Sequence, residues 1–194
     1  MLNPRWRKVL SDIWGNKTRT VLVVLSIAVG VFAVGVIATS RMVLARDMAN
    51  SYAAINPASA TIYTIDSFDD DLVQTVRHMR EVREAEGRRF VTVRLQIGPE
   101  EWRNFQLFAI PDYDDIRVNK VWPESGAWPP PEHEVLIERA ALGLTKAEVG
   151  DVILIKTPDG TRRHLRIAGL THDFSQLPAT FDGTIYGYIT FDTL

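Results

Sequence analysis

The chain has 194 residues, with 22 Lys and Arg against 24 Asp and Glu, a formal net charge of -2 and no cysteine. The lack of cysteine excludes disulfides and thiolate metal sites, and the weak net charge excludes the strongly basic surface typical of a nucleic-acid-binding protein. An uncharged apolar run near the N-terminus divides the chain into a short leader and a longer outer region.

Residues 1–19 form a basic leader, which we predict to be an amphipathic helix on the cytoplasmic side. Its apolar side chains recur at i, i+3, i+4, i+7 and i+8, the spacing of one helix face. They are Trp6, Val9, Leu10, Ile13 and Trp14. Two tryptophans on the apolar face and Arg or Lys on the other favour a helix that lies in the membrane interface. A short solvated helix ahead of an anchor is the alternative interpretation.

Residues 20–40 carry no charge and no proline. A helix of this length covers about 31 Å, the thickness of a hydrocarbon core, whereas a secretory signal has an apolar region of only about 7–15 residues. We therefore predict a retained transmembrane helix that continues to about residue 50. A cleaved signal is the alternative, because small residues such as Ala45 follow the run.

Small residues four apart in this helix indicate possible contact faces for a second helix. They form two pairs, Ser26 with Gly30 and Gly35 with Thr39. Such spacing lets two backbones approach closely, so we predict helix packing at these four positions.

The basic residues around the helix predict its orientation. Five Lys or Arg residues precede residue 20, and only Arg41 and Arg46 follow within 20 residues of Ser40. Because Lys and Arg are retained on the cytoplasmic side, we expect a cytoplasmic N-terminus and an extracytoplasmic chain after about residue 45.

Residues 51–194 are expected to form one α+β outer domain that begins with a βαββ unit at about 58–110. The predicted unit has a strand at 59–65, a helix with the apolar stripe Leu72, Val76 and Met79, and two alternating strands joined near Pro99. The proline-rich stretch at 111–131 is predicted to connect this unit to a smaller β-rich subdomain. That subdomain would contain a hairpin with its turn at 158–160 and a last strand near the end.

No pattern of catalytic residues stands out. The histidines lie outside an H-E-x-x-H pattern, and the sequence has neither a nucleophile elbow nor a Walker A loop. His172 precedes Asp173, as in a base held by a carboxylate, but no Ser or Cys nucleophile accompanies them, which favours a structural role. The acidic run 69–71 lacks the spaced ligands of a calcium loop and fits a helix N-terminus. We therefore expect no enzyme activity, metal or cofactor in this chain.

Three short stretches occur in order along the chain: KTRT at 17–20 entering the apolar helix, GD at 150–151 opening the hairpin, and IAG at 167–169 closing it. Together with the leader and the predicted outer elements, they resemble an FtsX-like (MacB/LolC-type) ABC transporter permease. The resemblance covers almost the whole chain, namely the first membrane helix and much of an extracytoplasmic core domain.

This resemblance implies a bacterial cytoplasmic-membrane protein that couples cytosolic ATP hydrolysis to movement of its outer domain, for export or extraction of a substrate. It implies a separate cytosolic ATPase and a second permease copy as partners. Permeases of this family have four membrane helices, so the chain is expected to be an N-terminal part with a truncated MacB-like core domain at 51–194. No substrate residue can be carried over.

Two other functions stay open. A single-pass membrane protein could use its outer domain to bind a ligand or a partner. A cleaved leader would instead give a secreted enzyme or binding protein.

Overall fold

The computed structural model describes residues 16–66 and 68–194. The five predicted leader positions lie outside the described residues: Trp6, Val9, Leu10, Ile13 and Trp14. The chain divides into two compact units, one ending at Asn50 and the other comprising Ser51–Leu194. The class is α+β, with a long apolar helix, a mixed sheet and several short helices.

The long helix, α1, spans Lys17–Ala54 and has 38 residues. It is therefore roughly 57 Å long at 1.5 Å per residue, longer than a hydrocarbon core of about 30 Å. In the described part of the chain it is the one helix long and apolar enough to cross a membrane, judged by length and composition. It continues a few residues past the predicted end near residue 50 and buries none of its side chains.

The second unit is built around one mixed seven-stranded sheet within the described residues. The strands are β1 Arg89–Gln96, β2 Trp102–Ile110, β3 Trp122–Gly126, β4 Glu134–Glu138, β5 Val152–Lys156, β6 Arg162–His172 and β7 Ile185–Thr190. The short helices are α2 Asp70–Arg77, α3 Leu142–Thr145 and α4 Ala179–Asp182, with a 3-10 turn at Phe191–Thr193. The strand order is β3-β6-β4-β7-β2-β1-β5, and β5 also pairs with β6, so six strands close into a barrel and β3 lies outside it on β6.

The predicted βαββ unit is wrong in its first strand. Residues 59–65 are exposed and form no strand, while α2, β1 and β2 follow as predicted. The edge of β1 that faces away from β2 pairs with β5 at Arg94 and Leu95. The sheet closes through β5, and residues 59–65 pair with none of its strands.

The separate β-rich subdomain is also wrong, because the later strands belong to the same sheet. β7 pairs in parallel with β2, and β4 pairs in parallel with β6. Parallel neighbours need long connections, so pairing of strands adjacent in sequence could not reveal this closure. The hairpin itself is confirmed, since β5 and β6 pair antiparallel around the turn at 158–160.

The side chains of helix α2 that pack against the rest of the second unit are not the predicted ones. Asp69 is the N-cap and accepts a hydrogen bond from the Leu72 N–H at 3.2 Å. Leu72 and Met79 are 45% and 52% exposed, so two of the three predicted stripe residues are not buried. Val73 packs instead against the backbone at Gly87, where an added Cβ would lie 2.9 Å from the Val73 Cγ2 atom.

Two apolar clusters form on the two faces of the sheet. The interior cluster fills the barrel with alternate residues of its strands, among them Leu95, Phe105, Ile137 and Ile167. The second cluster lies on the outer face and consists of Ile110, Tyr113, Val121, Leu136, Tyr186 and Tyr188, with Ile116 and Trp128 packed against it. The proline-rich stretch at 111–131, predicted to connect two subdomains, thus covers the outer face of the sheet.

β3 reaches β6 through two glycines that allow very close contact. A Cβ on Gly169 would lie 2.2 Å from the Ser125 carbonyl oxygen, and one on Gly126 would lie 2.2 Å from the Ala168 carbonyl oxygen. No side chain fits between these backbones, which gives a physical reason for the glycine in the IAG stretch at 167–169.

Candidate functional site

The chain immediately after α1 is held by a loop of the second unit, and this is the candidate functional site. The Ile55 carbonyl accepts the Lys120 N–H at 2.8 Å, and the Asn56 carbonyl accepts the Asn119 N–H at 3.1 Å. The Ile55 side chain is completely buried. We call residues 55–58 together with 115–120 the anchor site; all of them belong to the second unit.

Two asparagines give the anchor site its shape. Asn56 and Asn119 have φ angles of 49° and 47°, in the left-handed region that asparagine tolerates better than most residues. The Asn56 amide donates to the Arg117 carbonyl at 2.7 Å, and the Asn119 side-chain oxygen accepts the Ala58 N–H at 2.9 Å. Each asparagine therefore supplies both a tight bend and a bond to the opposite segment.

A nearly buried ion pair binds the backbone of the loop at 115–120. Arg88 and Glu86 lie 2.7 Å apart, with side chains 16% and 10% exposed. Glu86 accepts the N–H groups of Arg117 and Val118 at 2.8 and 3.0 Å. Arg88 donates to the carbonyls of Val118 and Asn119 at 2.6 and 3.0 Å. The pair thus satisfies backbone donors and acceptors of the loop and holds residues 117–119 in position.

Outer charges complete the anchor site. Arg83 donates to the Asn56 side-chain oxygen at 3.0 Å, and Arg117 contacts Asp115 at 2.5 Å and Glu84 at 3.7 Å. The hydrogen bond from Arg117 lowers the pKa of Asp115. Because Arg117 and Asp115 are largely exposed, this pair contributes orientation more than stability.

A buried polar pair belongs to the outer face that the loop covers. The Tyr188 hydroxyl donates to the carboxylate of Asp173, which also accepts the Ser175 N–H at 2.6 Å. Tyr188 and Asp173 are 0% and 3% exposed. Burial, and then the charge of Asp173, raises the pKa of Tyr188 well above its usual value, so the phenol stays a hydrogen-bond donor.

His172 has partners other than the adjacent Asp173. Its Nδ1 atom lies 3.4 Å from a Glu138 oxygen, and its Nε2 atom lies 3.0 Å from the Arg139 guanidinium. A guanidinium only donates, so Nε2 accepts and Nδ1 carries the proton. Glu138 is 4% exposed and also accepts the Ala140 N–H at 2.7 Å. These contacts are structural: they join the ends of β4 and β6.

The four predicted helix-packing residues do not share one face of α1. At 100° per residue, Ser26 and Gly30 lie about 180° away from Gly35 and Thr39. The Ser26 hydroxyl bonds the Leu22 carbonyl at 2.9 Å within the helix, and no atom lies near the open sides of the two glycines. Packing at all four positions would therefore need neighbours on two sides.

Among the described residues, no group of three or more His, Cys, Asp or Glu is placed to hold a metal ion. A shallow open cleft of about 510 Å³ lies between the β1–β2 turn and the segment around Lys146 and Asp151. Lys146 contacts Glu101 at 3.3 Å beside it, an exposed ion pair.

The anchor site was not predicted from the sequence, because its two halves lie about 61 positions apart in the chain. Asn56 comes two positions after the end of α1 and Asn119 directly precedes Lys120, so asparagines mark both segments, but nothing local indicates that the two segments pair. Comparison with models of known protein families and with curated proteins finds no match.

Proposed function

We propose that this chain is part of an FtsX-like permease of an ABC transporter in the bacterial cytoplasmic membrane. In this proposal α1 spans the membrane with its N-terminus in the cytoplasm, and the barrel lies outside. A separate cytosolic ATPase supplies the energy, and a second permease copy completes the assembly. The barrel transmits motion and performs no chemistry.

The observation that carries the proposal is the anchor site. The residues directly after α1 are held by a buried side chain and by backbone and side-chain hydrogen bonds to the loop at 115–120. That loop continues into the cover of the outer face, where Tyr113 and Val121 are buried. A displacement of residues 55–58 therefore acts on packed, hydrogen-bonded structure, as a mechanical role requires.

Coupling needs more than a firm attachment. A cytosolic ATPase can drive the outer domain only if its nucleotide states favour different arrangements of the permease. The amphipathic leader, predicted from Trp6, Ile13 and Trp14 among others, is the segment proposed to meet the ATPase. Weakening either the leader or the anchor site should then uncouple ATP hydrolysis from transport.

The experiment uses the full-length protein purified from its own membranes with a mild detergent. Proteins that copurify are identified by mass spectrometry, and ATP hydrolysis is measured after reconstitution into lipid vesicles. We expect a copurifying ATPase whose activity responds to the permease. Recovery of the permease without any ATP-hydrolysing subunit would contradict the proposal.

Two variants test the mechanism. Combined replacement of Trp6, Ile13 and Trp14 by Ser should weaken the contact between the leader and the ATPase, and so reduce the coupling of ATP hydrolysis to transport. Asn119→Gly keeps the left-handed backbone accessible but removes the acceptor for the Ala58 N–H, so it should reduce coupling at the anchor site. Tyr52→Ala is the matched control, because Tyr52 lies on α1 near the anchor site and is 55% exposed. Equal coupling in all three variants would rule out the mechanical role.

A second function is favoured by a different observation. Large apolar side chains are exposed between residues 62 and 90, including Ile65 at 104% and Ile62 at 79%. Exposed apolar surface of this kind marks interaction sites. A single-pass membrane protein with a partner-binding outer domain is therefore the alternative, and copurification without an ATPase would favour it.

A further inference from the structure

Four permanent cations and a histidine lie together on the outer surface of the barrel. On β6, Leu165 and Ile167 are buried inside the barrel, so the residues that alternate with them face outward. The same alternation on β1 and β5 turns one cation of each strand outward. All five outward residues are exposed. We call them the basic face: Arg94, Lys156, Arg162, His164 and Arg166.

The strand register places like charges of the basic face directly opposite one another. Arg94 on β1 is the partner of Lys156 on β5, and Lys156 is the partner of Arg162 on β6. Partners on neighbouring strands lie about 5 Å apart, so the three cations form one row about 10 Å long. Like charges directly opposite destabilise a sheet, and this row therefore has an electrostatic cost.

No carboxylate of the described residues forms an ion pair with the basic face. Arg94 donates to the Trp102 carbonyl at 3.1 Å, and Arg166 donates to the Gly150 carbonyl at 3.2 Å, which leaves both charges uncompensated. Asp159, in the turn of the hairpin, accepts instead from the hydroxyls of Thr157 and Thr161.

A shortage of acidic residues does not explain this. The second unit has 15 Lys and Arg against 22 Asp and Glu. Five other cations of this unit each have a carboxylate at 3.7 Å or less, namely Arg88, Arg103, Arg117, Arg139 and Lys146. The uncompensated charge is therefore local to the basic face, where an external anion would offset the repulsion.

Exposed apolar side chains adjoin the basic face on the same side of the sheet. Phe90 precedes Arg94 by four residues on β1, so it also faces outward, and it is 45% exposed. The ring of Tyr63, 73% exposed, meets the Phe90 ring edge to face with centroids 5.7 Å apart. Ile62 and Ile65, close to Tyr63 in the chain, are 79% and 104% exposed. Cations beside exposed aromatic and aliphatic side chains are the composition of a surface that lies in a membrane interface.

The basic face and these apolar side chains lie toward the end of the sheet that carries the anchor site. Glu86 and Arg88, which bind the anchor loop, directly precede β1. β5 runs antiparallel to β1, so the turn at 158–160 projects toward the same end. Lys156 and Arg162 flank that turn. The row of cations is thus on the part of the barrel where the chain enters from α1.

From the opposed cations, the missing carboxylates and the adjoining apolar side chains, we infer that the basic face binds the phosphate headgroups of anionic lipids. Guanidinium groups bind phosphate oxygens in a matching fork geometry. The second unit begins at Ser51, roughly 16 Å along α1 from the end of the uncharged run at Ser40, so headgroups are at high effective concentration. This binding requires α1 to cross a bilayer, the span of the proposed function. It requires neither transport nor a particular side of the membrane for the barrel.

Two other anionic partners fit the basic face less well. A nucleic acid is a long polyanion, and the excess of acidic residues in the second unit would repel it. An acidic segment of another protein would match the cations, but not the exposed Ile62, Tyr63 and Ile65 beside them.

Energy transfer to lipid tests the inference with the full chain reconstituted into vesicles. Thr92→Cys places a donor dye on β1 between Phe90 and Arg94, in a chain without other cysteines, and a trace of headgroup-labelled lipid is the acceptor. Transfer should rise when phosphatidylglycerol replaces about a third of the phosphatidylcholine, and fall again in about 0.5 M salt.

Thr180→Cys is the matched reporter. Thr180 is exposed on α4, which precedes the end of β7 that pairs with Phe105, so it lies at the opposite end of the barrel. Its transfer should respond less to phosphatidylglycerol. Equal transfer from position 92 in neutral and anionic vesicles, or a larger response from position 180, would overturn the inference.

Matched charge variants assign the effect to the basic face. Lys156→Gln with Arg162→Gln removes two opposed cations, and Lys146→Gln with Arg139→Gln removes the same charge from exposed cations elsewhere. Each cation near an anionic surface contributes about fivefold, so the first pair should lower the ratio of lipid-bound to free barrels roughly 30-fold. The second pair should leave that ratio within about twofold. Equal losses in the two pairs would overturn the inference.

Thermal unfolding of the same variants separates binding from a structural role. Lys156→Gln with Arg162→Gln removes like-charge neighbours, so the melting temperature of the second unit should stay the same or rise. A lower melting temperature together with unchanged energy transfer would show that the two cations stabilise the sheet and do not bind lipid.

Flotation with neutral vesicles distinguishes failure of this inference from failure of the proposed function. A chain that floats with them, but shows no response to phosphatidylglycerol, contradicts the lipid site alone. A chain that does not float lacks the membrane span, and both proposals fail. Binding of an acidic protein or an oligonucleotide to the basic face, without a response to phosphatidylglycerol, would also reject lipid as the occupant.

Discussion

At the residue scale, the polar groups with the largest effect on the free energy of unfolding are those buried away from water. Asp173 is buried, and both the Tyr188 hydroxyl and the Ser175 N–H donate to its carboxyl group. A buried carboxylate that loses a donor is left with an unfavourable desolvation cost, whereas an exposed one recovers a bond from water. The same chemical change should therefore have different effects at Tyr188 and at Tyr186.

We predict that Tyr188→Phe lowers the free energy of unfolding by about 1–3 kcal/mol, because Asp173 loses a donor in a site closed to water. Tyr186→Phe is the control: its hydroxyl donates at 3.0 Å to Asp182, which is exposed. It should cost less than about 1 kcal/mol. Chemical denaturation of the full chain in detergent, followed by tryptophan fluorescence, measures both. Equal losses would show that Asp173 does not depend on Tyr188.

Asp159, in the turn of the hairpin, gives a prediction about pH. Hydrogen bonds from the Thr157 and Thr161 hydroxyls lower its pKa to about 2. A carboxyl whose folded pKa is below its unfolded value of about 3.9 stabilises the fold above that value. The contribution is lost as the pH falls from about 4 through about 2.

The carboxyl carbon of Asp159 should accordingly titrate near pH 2 when followed by NMR. Thr157→Val removes the first of the two hydroxyl donors and should move the midpoint upward toward the ordinary value. An unchanged midpoint in this variant would mean that the hydroxyl does not hold the carboxylate.

At the element scale, the strands were predicted better than their pairing. Alternation identified β1 and β2, and the Pro158-Asp159-Gly160 turn identified the β5–β6 hairpin, because both signals are local. The predicted strand at 59–65 has the right composition but no neighbour, and composition alone does not supply one. Barrel closure depends on the parallel pairs β2–β7 and β4–β6, which join distant parts of the chain.

The anchor site was beyond sequence analysis for a related reason. Its backbone bonds join Ile55 and Asn56 to Lys120 and Asn119, and the pairing of two segments so far apart in the chain has no local residue pattern. The burial of Ile55 depends on this pairing, because α1, which ends one residue earlier, has no buried side chain.

Ile55 also gives the sharpest prediction for this element. Ile55→Ala removes a fully buried side chain and should lower the free energy of unfolding of the second unit by about 2–5 kcal/mol. Tyr52→Ala, three positions earlier and 55% exposed, should change it by less than about 0.5 kcal/mol. Thermal unfolding by near-ultraviolet circular dichroism compares the two. Similar melting temperatures would mean that residues 55–58 are not packed as described.

At the scale of the whole molecule, a helix able to cross a bilayer is followed in the chain by a barrel domain, and a loop of that domain binds the residues directly after the helix. α1 has the length and composition of a membrane span, and five Lys or Arg residues precede residue 20. The proposed transport role and the predicted leader both depend on this helix staying in the mature protein with the barrel outside the cytoplasm.

Thiol labelling in intact cells tests this central claim most directly, because the chain contains no cysteine. Asn104 is exposed on β2, and Asn16 lies just before α1. With a reagent that does not cross the cytoplasmic membrane, Asn104→Cys should be labelled at once and Asn16→Cys only after permeabilisation. The labelled protein should be membrane-bound and have its full mass. Protection of Asn104→Cys together with labelling of Asn16→Cys, or a labelled soluble product without residues 1–40, would contradict the account.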